Sequence, residues 1–178
     1  MSADPLIVSA VLDDAAQQDL DEQRRRYFPA VRRVVGAHVT LFHALPGDAL
    51  LDVADALRGA TDRPAPGLTV AEPFLMGGGS RGGGVGYRLR SPELDEVREE
   101  VARRFRARLT DQDARRWRPH VTVANKVDAA EARATLAEVE AAHTPYATTV
   151  TGLALWHYRG GPWESAGDYT FRPGILTS

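Results

Sequence analysis

Along this chain, compact β-branched apolar runs alternate with longer stretches in which apolar residues return every three or four positions. Residues 6–12 (LIVSAVL) read as a buried strand. Across 13–35, Leu20, Tyr27, Val31 and Val34 keep helical spacing, with Pro29 bending or breaking the segment and Gly36 ending it. A strand at about 37–44 closes at Pro46-Gly47, a short amphipathic helix covers 48–58, and 68–75 form a further strand. Then the same order begins again. A strand at 85–90 leads into a helix capped by Ser91 with Pro92 in its first turn. That helix runs to about 109, with Leu94, Val97, Val101, Phe105 and Leu109 on one face. An Arg-rich polar loop follows, then a strand at 120–125, a helix at 129–142, a strand at about 148–157 and a short last strand at 168–171.

Both halves carry the same tripeptide on corresponding strands: His38-Val39-Thr40 and His120-Val121-Thr122, 82 residues apart. The first strand begins 32 residues before His38 and its counterpart 35 residues before His120, so order and spacing repeat independently of the motif. The expected fold is α/β (α+β), with two pseudo-symmetric lobes around a central groove. Each lobe is an antiparallel sheet with helices on its outer face. The whole chain, 1–178, reads as a single bilobal domain, with a first repeat at about 5–76, a second at about 85–158 and a C-terminal strand within 159–178.

Residues two apart on a strand share a face. Each motif therefore offers an imidazole beside a hydroxyl, and two such pairs across a groove suit phosphate chemistry. Histidine titrates near neutral pH, so one ring can act as base while the other acts as acid on the opposite side of a phosphorus centre. Threonine hydroxyls can hold the non-bridging oxygens, where charge accumulates. Strict alternation puts His38, Thr40 and Phe42 on one face, and His120, Thr122, Ala124 and Lys126 on the matching one. Phe42 could stack a base or fill the core. His43 falls opposite His38 on this count, which argues against a metal pair. His143 reads as a solvated helix end and His157 as a rim residue. No carboxylate or third histidine stands at recognised metal spacing, and neither metal nor cofactor is expected.

The formal charge of −2 excludes the broad basic surface that grips nucleic acid through many phosphates, so an RNA partner would be a short or terminal piece. Absence of cysteine removes disulfides and thiolate chemistry. No signal-peptide pattern opens the sequence and no apolar run approaches a membrane span, so a cytoplasmic location is expected, and because no long apolar surface stripe is left over the expected state is a monomer. Residues 77–86 hold seven of the 16 glycines and match no phosphate-binding loop; they read as a mobile connection, or as a flap bringing Arg81 to phosphate.

The paired His-x-Thr strands, half a chain apart, resemble the two-histidine (2H) phosphoesterase superfamily, and within it the 2′-5′ RNA ligase and cyclic phosphodiesterase-like proteins. The resemblance implies His38 and His120 as the acid–base pair and Thr40 and Thr122 as phosphate holders. It also implies a nucleotide or RNA terminus as substrate. Where relatives often have arginine after the second motif, this chain has Asn125-Lys126, so Lys126 is a candidate substrate contact with weaker bidentate grip. Trp117 and Arg118 stand ahead of the second motif as rim contacts or loop anchors. The implied activity is metal-independent hydrolysis of a 2′,3′-cyclic phosphate or related RNA-end phosphodiester. The alternatives are a non-catalytic RNA-end or nucleotide-binding module, and 2′-5′ RNA ligation.

Overall fold

Side-chain caps set the helix starts. Asp13 accepts from the Ala16 amide at 3.0 Å, Ser91 from Leu94 at 3.1 Å and Asp128 from Glu131 at 2.8 Å. They open α1 (Asp14–Tyr27), α3 (Pro92–Phe105) and α5 (Ala129–Ala142); α2 (Leu50–Thr61) and the single turn α4 (Asp111–Ala114) complete the helices of the described residues. The computed structural model describes residues 4–33, 35–79 and 82–173. Helix α1 is shorter than its apolar spacing predicts, because Pro29 holds Phe28 extended and ends it. Val31, expected on the apolar face, lies in a short 3₁₀ turn and is 91% exposed, and Val34 lies outside the described residues.

Seven strands follow one another as β1 (Leu6–Leu12), β2 (Val39–Leu45), β3 (Gly67–Gly79), β4 (Gly82–Arg90), β5 (His120–Val127), β6 (Tyr146–His157) and β7 (Glu164–Thr170). They pair antiparallel in the order β2-β1-β6-β3-β4-β5, with β7 on β6. Strand β6 is common to both lobes. Its residues 146–149 pair with β3, and residues 150–157 pair with β1, with β7 on the flank away from β1.

The two halves of the sequence exchange parts. The first half's β3 joins β4 and β5 in the second lobe, while the second half's β6 returns to β1 and β2 in the first. Helices cross in the same sense. Helix α1 packs on β5 beside α5, whereas α3 packs with α2 over the first lobe, where Arg98 reaches the Leu41 carbonyl. Leu6, Val8, Leu57, Leu94 and Leu153 lie in the apolar core between sheet and helices. Among the described residues no helix is long and apolar enough to cross a membrane.

The glycine run is not a loose connection. Gly77 pairs with Gly83 and Gly79 with Gly82, so β3 and β4 form a hairpin up to residues 80 and 81; Arg81 itself lies outside the described residues. Glycine is needed where β4 is pressed against β5. A Cβ on Gly84 would stand 2.4 Å from the Ala124 carbonyl oxygen, and one on Gly86 2.8 Å from that of Val121.

Candidate functional site

Strands β2 and β5 stand at opposite ends of the strand path, yet they come alongside each other, so the sheet curls round. Each end strand carries one motif. His38 directly precedes β2 and His120 opens β5. Nδ1 of His38 bonds the Gly36 carbonyl at 2.8 Å, and Nδ1 of His120 bonds the Arg118 carbonyl at 2.9 Å. A carbonyl oxygen only accepts, so Nδ1 carries the hydrogen in both rings and Nε2 is the free nitrogen. Thr40 pairs with Ser9 and Thr122 with Gly86, and all four motif side chains are half-buried. The Thr122 hydroxyl donates to Met76 Sδ at 3.4 Å.

Strict alternation fails just past each motif, and it fails in the same place. Between Ser9–Thr40 and Val8–Phe42 the β2 side has one extra residue, Leu41; between Gly86–Thr122 and Val85–Ala124 the β5 side has Val123. These β-bulges shift the pleat by one. Leu41 and Phe42 are therefore both in the core, as are Val123 and Ala124. Phe42 is 0% exposed, with the Arg98 guanidinium 4.7 Å over its ring, so it offers no face to a base. Ala124 likewise leaves the motif face. Lys126 is the extra residue of a second bulge, with φ 58° and an exposed side chain, outside the alternating series that would have set it beside Thr122.

The same shift brings His43 out on the exposed side rather than into the core. Its partner is Asp113, whose buried carboxylate accepts from His43 Nδ1 at 3.1 Å and from the His43 and Ala44 amides at 2.9 Å each. Burial alone would push the Asp113 carboxyl up, but these hydrogen bonds hold it below the usual carboxylate range. Asp113 thus caps the free edge of β2. Trp117 does related work by donating to the Thr40 carbonyl at 3.0 Å, which makes it a loop anchor, while Arg118 is exposed and lends His120 its carbonyl. His143 is no solvated terminus, since its ring packs 4.5 Å from Tyr87. His157 ends β6, half-buried.

Each catalytic candidate has an aromatic neighbour that pattern reading passed over. The Trp163 ring lies 4.7 Å from that of His38 and 6.0 Å from Trp156, whose indole donates to Ser9 Oγ at 2.9 Å. His38, Ser9, Trp156 and Trp163 line a cavity of about 470 Å³. Phe74 meets His120 edge-on at 6.2 Å and carries Arg88 over its other side at 4.3 Å. The sequence signal was faint: Trp163 sits in a Gly-Pro turn and Phe74 in an ordinary strand. Burial lowers the His38 pKa below the ordinary imidazole range. The Gly36 hydrogen bond opposes this, and the charges of Arg24, His120 and His43 reinforce it. Among the described residues no three His, Asp or Glu side chains converge as a metal-ligand set.

The sequence matches the 2′-5′ RNA ligase superfamily over residues 12–162. The chain belongs to that superfamily. Its fold is that of 2H phosphoesterases. It resembles TT0787 of Thermus thermophilus at TM-score 0.61 and 17% identity, with 95% of this chain and 98% of that one covered. Escherichia coli LigT complexed with NADP⁺ gives 0.60 at 18% identity, covering 96% and 99%, and LigT complexed with 3′-AMP gives 0.57 at 17%, covering 94% and 98%. No curated protein matches the sequence.

Proposed function

We propose that this superfamily member is a metal-independent phosphodiesterase that opens a 2′,3′-cyclic phosphate, or a related phosphodiester at a nucleotide or RNA end. The observation that carries the reading is the matched tethering of two imidazoles, each with Nδ1 spent on a carbonyl two residues back and Nε2 kept free. His38, whose pKa burial lowers, takes a proton from the attacking water as its oxygen bonds to phosphorus. His120 delivers a proton to the departing ribose oxygen as that P–O bond breaks. Thr40 and Thr122 donate to the non-bridging oxygens. The cavity between His38 and Trp163 takes the base, because every base has a face to stack on an aromatic ring. LigT structures with 3′-AMP and NADP⁺ support a nucleotide substrate. Arg115, Arg116 and Arg118, exposed in the segment that leads into His120, support an RNA end longer than one nucleotide.

The test is turnover of nucleoside 2′,3′-cyclic phosphates and cyclic-phosphate-ended RNA, with and without EDTA. Turnover indifferent to chelator is expected, and His38→Ala or His120→Ala should each lower kcat by roughly 10³-fold or more. Loss with chelator rejects the metal-free mechanism. Tight binding of a 2′-nucleotide with no product from any cyclic substrate replaces the enzyme with a binding module.

A further inference from the structure

Two buried arginines beneath the groove have no part in that mechanism. Arg24 on α1 and Arg98 on α3 lie on the corresponding helices of the two halves, and both are almost fully enclosed. Arg24 donates through Nε to the Val35 carbonyl at 3.2 Å and through a terminal nitrogen to the Thr122 carbonyl at 2.8 Å. Arg98 donates through Nε to the Leu41 carbonyl at 3.1 Å and through a terminal nitrogen to the Asp113 carbonyl at 2.6 Å. Each fork therefore joins the segment leading into its own half's motif to the motif strand of the other half. The contact points are Thr122 itself and the bulge residue directly after Thr40. Only a planar fork with donors in fixed directions can span two carbonyls on separate segments in this way.

Neither arginine forms an ion pair among the described residues. Carboxylates share the surroundings of both: Asp21 lines a pocket with Arg24, and Asp95, Glu99 and Asp113 line a cleft with Arg98. The hydrogen bonds of the two guanidinium groups nonetheless go to backbone carbonyls, on and around β2 and β5. We infer that Arg24 and Arg98 are a matched pair of positioning residues, each fixing the opposite half's motif strand beside the place where the phosphorus centre binds. The inference rests on the phosphodiesterase reading. The Arg24 charge also works against protonation of His38. The other groups facing that ring are His120 from β5 and His43 from β2. Asp14 and Asp168 stand on the cavity walls, and Asp21 accepts from the Ala37 amide at 2.6 Å.

The experiment compares full-length Arg24→Lys, Arg98→Lys, Arg24→Gln and Arg98→Gln with the parent chain. In the lysine variants, which keep the charge and lose the fork, kcat on a nucleoside 2′,3′-cyclic phosphate should fall ten- to a hundredfold while KM stays within threefold. In an NMR titration of the histidine rings, Arg24→Gln should raise the His38 midpoint and Arg98→Gln should leave it in place. Affinity for inorganic phosphate should drop several-fold in both glutamine variants. Parent-like kcat in folded lysine variants overturns the inference, and so does an unmoved His38 midpoint in Arg24→Gln. If the glutamine variants do not fold, the lysine pair decides it. Titration and phosphate affinity do not depend on turnover. A parent chain inert toward every cyclic phosphate would therefore sink the phosphodiesterase reading, while those two measurements still judged the arginines.

Discussion

Trp163 and His38 lie ring against ring, 4.7 Å between centroids and tilted by 59°. The indole shields one side of the imidazole and walls the cavity proposed for the base. Trp163→Ala should raise KM for a nucleoside 2′,3′-cyclic phosphate by about 10- to 100-fold, since base stacking is worth about 1–3 kcal/mol. It should also move the His38 midpoint up toward the ordinary imidazole value as water reaches the ring. Steady-state kinetics and ring titration check both, and an unchanged KM removes the base from this cavity.

The pH profile should show the lowered His38 pKa. With His38 as base, kcat/KM should hold its plateau as pH falls past about 6.5, the ordinary histidine value, and decline only on the acid side of it. Stability follows the same sign. The unfolded chain binds its proton at the ordinary value while the folded one resists, so unfolding gains on folding as pH drops below about 6.5. Melting temperatures across pH 5–8 should fall more steeply on the acid side in the parent than in His38→Gln; parallel curves would contradict the lowered His38 pKa.

Asp113 holds three donors of the β2 edge in a site where its side chain is 1% exposed. Asp113→Ala leaves the His43 and Ala44 amides without an acceptor and should cost about 2–4 kcal/mol in urea unfolding. Asp113→Asn keeps one acceptor oxygen and should cost less. Equal stability of all three chains would mean the edge is satisfied some other way.

Phe42 separates packing from recognition. Phe42→Ala should destabilise the fold by about 3–5 kcal/mol. Phe42→Leu should leave KM for the cyclic phosphate unchanged, because the ring faces the core and Arg98 rather than the groove. A large KM effect from the leucine variant would return Phe42 to the site.

Much of this was legible in the sequence, because it rested on period and spacing. Helix α5 occupies residues 129–142 as its pattern predicts, and the two His-Val-Thr strands occupy corresponding places. What alternation could not foresee was the pair of bulges. An inserted residue leaves no mark on composition, yet it sent Phe42 inward and His43 outward. Trp163 and Arg24 were illegible for another reason. Their partners lie 125 and 98 residues away in the chain, and no local pattern records so distant a contact. The glycines of 77–86 were visible, but their cause, the close approach of β4 to β5, is a property of two strands rather than one.

Since β6 pairs with β3 at residues 146–149 and with β1 at residues 150–157, the two sheets share one strand, and damage to that strand reaches both motif-bearing halves at once.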